Sequence, residues 1–408
     1  MALDIDAACD AAAANVDDRK LVDLLQKMVR IRSYSAGGEE GTVARFVQEH
    51  IRGLGLESEL QEVQPGRFNV VSRMKGSGGG KSLMFNGHLD TNMAGEGWTK
   101  DPFGGEVDDK FIYGIGVSNM KAADACYVAA VEAVKAAGIP LRGDVVIAHV
   151  IGELQGGVGT VHLINSGVRT DYFIVGEPTD NDCVTMHAGS IEVELTILGQ
   201  TRHLSKMEQA VDAIDGAVAA MGVLKSMTFT GPQGEDHKAV RRVGIGVIRG
   251  GMGPEFQDWR PSLIADRCQV KFSVRFSPGQ TIEGIMEDMR RELDKLMAAR
   301  PGLAYTIQRN GGGQRLYMGP FGVDRDAPIV RTVAAAHEKV TGAKPQVGPI
   351  GPARFYGTDA AHLADAGMVG LVYGPGGRYN TMPDERVDLK DLYDAARVYA
   401  RAIVATCA

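Results

Sequence analysis

The chain has 408 residues, of which 44% are hydrophobic and 23% are charged, a composition typical of a globular protein long enough for two domains. The formal net charge of −7 excludes the basic surplus that nucleic-acid binding requires. The sequence has no apolar run of about 18 residues, the length that a transmembrane helix needs, and its Ala-rich start lacks the pattern of a secretory signal. We therefore expect neither nucleic-acid nor membrane partners.

The first hundred residues predict two helices and a buried strand. Apolar residues repeat at helical spacing from Leu21 to Val29 and again from Val43 to Leu54. The short apolar run Leu83 to Phe85 then has the length of a buried strand, and His88 and Asp90 follow it directly. A carboxylate two residues beyond an imidazole is suited to fixing the tautomer of a metal-binding histidine.

Two further strands end in acidic residues. The segment that starts at Ser118 predicts a helix with Ser118 as its N-cap, which places Asn119 in the first helical turn. The apolar strand that follows it leads into Glu153, and the strand from Tyr172 leads into Glu177. Strands that alternate with helices predict a mostly parallel sheet flanked by helices, an α/β fold. His88, Glu153 and Glu177 are then expected to converge at one edge of the sheet.

The pattern changes near Ile191. Apolar and polar residues alternate over Ile191–Ile197 and again over Cys268–Phe276, which is typical of half-exposed antiparallel strands. With helices predicted over Met207–Leu224 and Ile282–Leu296, these strands form an inserted α+β domain of ferredoxin-like order. We predict a discontinuous catalytic α/β domain over residues 1–185 and 299–408, interrupted by a lid or dimerisation domain over residues 186–298.

The five cysteines are scattered, odd in number and lack C-x-x-C spacing. This usage is typical of reduced structural thiols, and it predicts a cytoplasmic protein.

A set of motifs covering nearly the whole chain resembles the zinc-dependent aminoacylase and carboxypeptidase family, which includes acetylornithine deacetylase, succinyl-diaminopimelate desuccinylase and glutamate carboxypeptidase. The motifs are G-H-L-D-T at Gly87, W-x-x-x-P-F at Trp98, Y-G-I-G-V-S-N-M-K at Tyr113, G-E-P-T at Gly176, G-x-x-x-H ending at His203, V-R-F-S-P-G at Val274, Y-G-T-D-A at Tyr356 and G-P-G at Gly374. The resemblance implies a catalytic α/β domain and a lid domain that mediates formation of a homodimer.

The resemblance also implies two zinc ions, and here the sequence departs from the family. The bridging Asp of the family is replaced by Asn119, the second Glu of its D-E-E motif by Leu154, and its C-terminal His by Thr381. His88 and Glu177, which match the ligands of the second metal, are retained. Because two dications need several anionic ligands, we expect at most one divalent ion, zinc or manganese, held by His88, Glu177 and Asn119, with no cofactor as the other outcome.

Other family positions keep their residue types. Glu153 matches the general base, and His203 matches the lid histidine that stabilises the oxyanion. Asp90 completes the predicted catalytic set. For substrate binding, the resemblance points to residues near the substrate carboxylate and in the loop before the lost histidine: Arg275, Gly374, Gly376, Asn380 and Thr381.

Three functions remain open from the sequence. The first is hydrolysis of an amide bond in a small carboxylate-bearing substrate, of the N-acyl amino acid or peptide kind, with one metal ion. The second is metal-independent acid/base chemistry in the same pocket, such as a lyase, isomerase or decarboxylase reaction that uses Glu153 and His203. The third is a non-catalytic binding protein, which the three replaced ligands favour.

Overall fold

A computed structural model describes residues 3–258, 260–309 and 317–408. The chain divides into two compact units, which we call the first unit (Met1–His187 with Arg315–Ala408) and the second unit (Ala188–Gln314). The second boundary lies later in the chain than the sequence predicts, because residues 304–309 form a strand in the sheet of the second unit. Within the described ranges, no helix combines the length and apolarity needed to cross a bilayer.

The elements are numbered in chain order. Up to the first boundary they are α1 (Ile5–Ala14), α2 (Asp18–Val29), α3 (Gly41–Gly53), β1 (Glu57–Gln64), β2 (Arg67–Met74), β3 (Leu83–His88), β4 (Phe111–Tyr113), α4 (Ala122–Ala136), β5 (Val145–Val150), α5 (Val158–Asn165), β6 (Tyr172–Val175), β7 (Cys183–Val184) and β8 (Met186–His187). The second unit contains β9 (Gly189–Leu198), α6 (Ala213–Ser226), α7 (Glu235–Ala239), β10 (Arg242–Gly251), β11 (Arg267–Phe276), α8 (Ile282–Ala298) and β12 (Ala304–Arg309). The first unit then resumes with β13 (Phe321–Gly322), α9 (Pro328–Thr341), β14 (Val347–Gly348), α10 (Ala360–Asp365), β15 (Val369–Val372), β16 (Arg386–Asp388) and α11 (Leu389–Cys407).

The main sheet of the first unit has the order β1-β2-β5-β3-β6-β15-β7-β14 in the described residues. Its four central strands, β5, β3, β6 and β15, are parallel to one another, which confirms the predicted α/β fold with a mostly parallel sheet. Every residue of β3 and β5 is buried. This burial explains their solid apolar pattern, because helices cover both faces of a parallel sheet.

One face of this sheet packs against α4, and the core there also includes residues of α1, α2, α9 and α11. Helix α4 is rich in alanine and almost completely buried, so its backbone can lie close to the neighbouring elements. Helices α5 and α10 contribute to the core on the opposite face. The carboxyl ends of β3, β5 and β6 are thereby fixed beside one another by a packed scaffold.

The second unit is an antiparallel sheet of order β10-β11-β9-β12 with α6 and α8 packed on it. Burial alternates residue by residue along β9 and β11, as the period-two pattern predicts. The predicted helix over Met207–Leu224 begins later, because Leu204–Gln209 forms a separate short helical turn and α6 starts at Ala213.

The predicted N-cap at Ser118 is wrong. Helix α4 begins at Ala122, and Val117–Lys121 forms an irregular turn in which Asn119 has extended backbone angles (φ −150°, ψ 93°). The Ser118 hydroxyl instead accepts a hydrogen bond from Gly377 N at 3.1 Å, while Ser118 N donates to Glu385 Oε1 at 2.9 Å. These distant contacts override the local capping preference, and Asn119 is not in a helical turn.

Candidate active site

Three strand ends bring a histidine and two glutamates together. His88 is the last residue of β3, Glu153 follows β5, and Glu177 follows β6. A potential ligand atom from each of these residues lies within 4.8 Å of the other two, and all three side chains are buried. The convergence predicted from the sequence is therefore present in the first unit. A His and two carboxylates at this separation are suited to holding a divalent cation or to moving protons.

The orientation of His88 is set by its own loop. Its Nδ1 lies 2.9 Å from the backbone oxygen of Asp90, an atom that can only accept, so Nδ1 carries a proton. Its Nε2 lies 3.0 Å from Asn119 Oδ1 and 3.6 Å from Glu177 Oε1. The nitrogen that a metal would bind therefore points at two oxygen donors.

Asp90 holds the turn that carries Glu153. Its carboxylate oxygens accept hydrogen bonds from the backbone N–H groups of Glu153 and Leu154, each at 3.1 Å, and Oδ1 lies 3.4 Å from Nδ1 of His88. Burial opposes ionisation here, but the charge and hydrogen bonding of His88, together with the hydrogen bond from Leu154 N, lower the pKa of Asp90 to about 2. Asp90 thus acts as a positioning residue behind both His88 and Glu153.

The carboxylates of the cluster hold protons more strongly than free acids do. Burial, followed by the charge of Glu177, raises the pKa of Glu153 well above its usual value. Burial also raises the pKa of Glu177 to about 7. Burial favours neutral His88, but the charges of Asp90 and Glu177 raise the pKa of this imidazole well above its usual value. The arrangement can therefore exchange protons near neutral pH.

The donor set fits one divalent ion. Ligand atoms of a tetrahedral ion with bonds near 2.0–2.1 Å lie roughly 3.3 Å apart. The measured separations of 3.0 Å and 3.6 Å, from His88 Nε2 to Asn119 Oδ1 and to Glu177 Oε1, bracket this value. At two further positions where the resemblance implies ligands, Leu154 has no ligand atom and Thr381 offers only a neutral hydroxyl.

Asn119 owes its position to a buried acid from the C-terminal region. Glu385 is buried and accepts a hydrogen bond from Ser118 N, which fixes the turn that carries Asn119. Burial raises the pKa of Glu385 to about 7. On the other side of the turn, Lys121 is fully buried and donates to the backbone oxygens of Met28 and Ile31, each at 3.0 Å.

The predicted glycines are used in packing between loops. The backbone N–H of Gly374 donates to Thr179 Oγ1 at 3.1 Å, and a Cβ atom on Gly374 would lie only 2.0 Å from Gly176 O. Gly376 has φ +76°, and a Cβ there would lie 2.7 Å from Ser118 Oγ. These contacts hold the G-P-G turn against the G-E-P-T segment, so both glycines shape the site through their lack of a side chain.

The remaining predicted residues lie at the edge of the cluster or in the second unit. Thr381 is exposed and, like Asn119, lines a cavity of about 230 Å³, whereas Asn380 Nδ2 lies 3.5 Å from Tyr356 Oη. In the second unit, His203 Nδ1 accepts a hydrogen bond from Ser205 N at 3.2 Å. Arg275 lies on β11, where it is in register with Ser190 of β9.

A buried acid near the cluster was missed from the sequence. Asp359 is 1% exposed, burial raises its pKa, and its charge contributes to raising the pKa of both Glu153 and Glu177. The Y-G-T-D-A motif contains Asp359, so its position was visible in the sequence. Its proximity to two glutamates was not visible in the sequence, because about 180 residues separate Asp359 from Glu177.

Comparisons with known proteins agree with this architecture. The deformylase of N-formyl-4-amino-5-aminomethyl-2-methylpyrimidine from Bacillus subtilis is 26% identical over 94% of this chain and 95% of its own. Succinyl-diaminopimelate desuccinylase of Methylorubrum extorquens is 27% identical over 95% of this chain and 99% of its own. The crystal structure of aminopeptidase PepT from Bacillus cereus superposes with a TM-score of 0.78 at 19% identity, covering 96% of this chain and 99% of that one. The model of peptidase family M20/M25/M40 matches residues 84–405, and the chain belongs to this family.

Proposed function

We propose that this protein is an amide hydrolase that acts on a small carboxylate-bearing substrate with one divalent metal ion. The observation that carries the proposal is the arrangement of His88 Nε2, with Asn119 Oδ1 and Glu177 Oε1 at 3.0 Å and 3.6 Å. Members of the family are typically metal-dependent, and the relatives named above are hydrolases that remove a formyl or succinyl group or cleave peptides. Zinc and manganese are both compatible with a donor set of one nitrogen and two oxygens.

Each residue of the cluster has a role in this reaction. When bound, a divalent ion supplies a Lewis acid that polarises the scissile carbonyl and increases the acidity of a water molecule. Glu153 accepts a proton from the attacking water and delivers it to the nitrogen of the leaving amine. Its raised pKa suits both transfers near neutral pH, and Asp90 fixes its turn through two hydrogen bonds.

The second unit supplies the remaining proposed roles. We assign His203 to stabilisation of the oxyanion and Arg275 to binding of the substrate carboxylate, on the basis of the matching motifs. His203 lies after β9, is exposed, and accepts a hydrogen bond from Ser205 N. Gly374, Gly376 and Asn380 are proposed to shape the substrate site from the first unit.

The metal content and the hydrolysis are tested together. Protein purified without chelator is loaded with zinc or manganese, and its metal content is measured after dialysis. We expect one ion per chain in the parent protein. The variant His88→Ala should bind no ion, whereas the matched variant His162→Ala on α5 should retain it. Hydrolysis is measured on N-formyl, N-succinyl and dipeptide substrates. A loaded protein that holds no ion, or one that holds an ion and hydrolyses none of these amides, contradicts the proposal.

We also propose a homodimer formed through the second unit. Helix α6 packs against β10, an edge strand of the sheet, and both elements expose large apolar side chains. These are Ile214 and Val218 on α6 and Val247 and Ile248 on β10, each at least 42% exposed. An apolar edge of this kind fits a second copy of the same surface. Val218→Glu combined with Val247→Glu should yield monomers in analytical ultracentrifugation, and an unchanged mass would contradict the dimer.

We place the protein in the cytoplasm. All five cysteines are buried and unbridged, as expected for a reducing compartment. Fractionation of cells that produce the tagged full chain tests this placement, and recovery in a membrane or extracellular fraction would contradict it.

Metal-independent acid/base chemistry is the second candidate. It is favoured by the closeness of His88 to two carboxylates, since Nδ1 lies 3.4 Å from Asp90 Oδ1 and Nε2 lies 3.6 Å from Glu177 Oε1. Turnover that persists after exhaustive chelation, and that Glu153→Gln removes, would establish this candidate in place of the hydrolase.

A further inference from the structure

A cavity of about 230 Å³ lies beside the cluster, entirely within the first unit. Its walls come from the loop after β3, from the turn that carries Asn119, and from the loop before β16. Asn119 connects the two places, since it lines the cavity and its Oδ1 lies 3.0 Å from His88 Nε2. A group in this cavity would therefore be adjacent to the reacting centre.

Hydrogen bonds join the two loops that wall the cavity. The Asp384 carboxylate accepts hydrogen bonds from Thr99 N at 2.8 Å, Thr99 Oγ1 at 2.7 Å and Lys100 N at 3.0 Å. Thr381, on the wall, has φ +52°, a left-handed conformation that β-branched residues rarely adopt. Strain of this kind persists where the surrounding structure imposes it, and it is commonly associated with functional sites.

The size of the cavity fits one ring. A cavity of roughly 150 Å³ is sufficient to bind benzene. At about 230 Å³, this one can hold a six-membered ring with a short substituent, but not a whole dipeptide with its side chains. It is therefore a site for one part of a substrate.

The lining combines apolar surface with negative charge. Met93, Trp98 and Ile115 contribute apolar area, and the exposed acid of the lining is Glu96. Glu385 also lines the cavity, but its buried carboxyl accepts a hydrogen bond from Ser118 N. None of the described residues that line the cavity is basic. An indole ring and the exposed Glu96 carboxylate attract a cation, and the same carboxylate repels an anionic group.

We propose that this cavity binds a ring-sized group with a protonated amine, carried by the substrate next to the scissile amide, and that it rejects acidic acyl groups. The assignment of the group to a substrate rests on the proposed function. The neutral residues Asn119 and Thr381, which stand where the family resemblance implies metal ligands, form part of the wall of this cavity. Residues that replace the expected ligands of a second metal thus form part of a binding site for an organic cation.

Binding is tested without turnover. Trp259→Phe leaves Trp98 as the only tryptophan, and its fluorescence is titrated with benzylamine, benzyl alcohol and benzoate, with calorimetry as a second readout. We expect saturable binding of benzylamine that is on the order of ten-fold tighter than that of benzoate, with benzyl alcohol between them. Equal affinities for benzylamine and benzoate, or no binding of any probe, would overturn the proposal.

Variants locate the binding in this cavity. Glu96→Gln should weaken benzylamine about three- to ten-fold and leave benzyl alcohol unchanged, while the matched control Glu49→Gln on α3 changes neither affinity. Ala94→Phe fills the cavity and should abolish binding of all three probes, with folding verified by circular dichroism and urea denaturation. Undiminished benzylamine binding by folded Ala94→Phe protein would overturn the assignment.

The two proposals fail separately. If the probes bind in the expected order but no amide is hydrolysed, the preference of the cavity for an organic cation stands, and the proposed function fails together with the assignment of that cation to a substrate. If amides are hydrolysed but those with acidic acyl groups show the highest kcat/KM, the hydrolase stands and the cavity assignment fails.

Discussion

The carboxylate of Asp90 accepts the backbone N–H of Glu153 at 3.1 Å, so the acid after β3 fixes the turn after β5. Asp90→Asn removes the charge and one of the two acceptor oxygens, because the new amide can accept through one oxygen only. Loss of such a supporting group typically lowers metal affinity ten- to hundred-fold. We expect this loss in a zinc titration against a competing chelator.

Asp108→Asn is the matched control for this variant. Asp108 also accepts two backbone N–H groups in a turn, those of Lys110 at 2.8 Å and Phe111 at 2.7 Å, but it lies outside the cluster. Its variant should bind metal as the parent protein does. Equal losses in both variants would indicate a general effect on folding instead of a positioning role for Asp90.

Glu153→Gln separates proton transfer from metal binding. The amide is nearly isosteric with the acid but cannot act as a base, so kcat should fall about 10²- to 10⁴-fold. One metal ion per chain should remain, because His88, Asn119 and Glu177 are intact. The matched variant Glu49→Gln should retain full activity. Loss of the ion from the Glu153 variant would instead identify Glu153 as a ligand.

Restoring the missing ligand types should recreate a second metal site. We expect the triple variant Asn119→Asp, Leu154→Glu and Thr381→His to bind two ions per chain, measured by elemental analysis after dialysis. Histidine tolerates the left-handed backbone of residue 381 better than threonine does. A folded triple variant that binds no metal would show that these three positions do not correspond to the ligands of the family.

The Asp171 carboxylate should stabilise the folded protein by an amount that depends on pH. Its hydrogen bonds from the Lys81 side chain at 2.6 Å and from Ser82 N at 2.9 Å lower its pKa to about 2, below the value near 3.9 in an unfolded chain. Folding thus favours the ionised form of Asp171. Its contribution to the free energy of unfolding is complete above pH 4 and is lost as the pH falls through 2.

We expect Asp171→Asn to lower the free energy of unfolding by about 1 kcal/mol at pH 7, a value reduced because the side chain is partly exposed. Urea denaturation at several pH values should show this difference shrinking between pH 4 and pH 2. Asp365→Asn, at an exposed acid, serves as the control. A difference that does not change with pH would exclude the electrostatic origin.

The sequence predicted the convergence of His88, Glu153 and Glu177 because each follows a short buried strand, and parallel strands end at a common edge. It did not predict the start of α4, since Ser118 makes its hydrogen bonds with Gly377 and Glu385. Local rules for helix capping contain no information about partners so distant in the chain.

The boundary of the second unit was missed for a related reason. Strand β12 has only six residues, and its apolar alternation is limited to Tyr305 and Ile307. Its pairing with β9, and the packing of these two side chains against the core, assign it to the second unit. The cavity could not be predicted from the sequence either, because Trp98 and Thr381 are far apart in the chain and meet only in the folded first unit.

The order of the main sheet has a consequence for synthesis of the protein on the ribosome. Strand β15 lies between β6 and β7, yet the whole second unit separates it from them along the chain. Pairing across so long a separation is slow, whereas the second unit is continuous in sequence. We expect nascent chains released shortly after residue 314 to resist protease only within the second unit. The first unit, and with it the candidate active site, should form only after the C-terminal strands and α11 have left the exit tunnel.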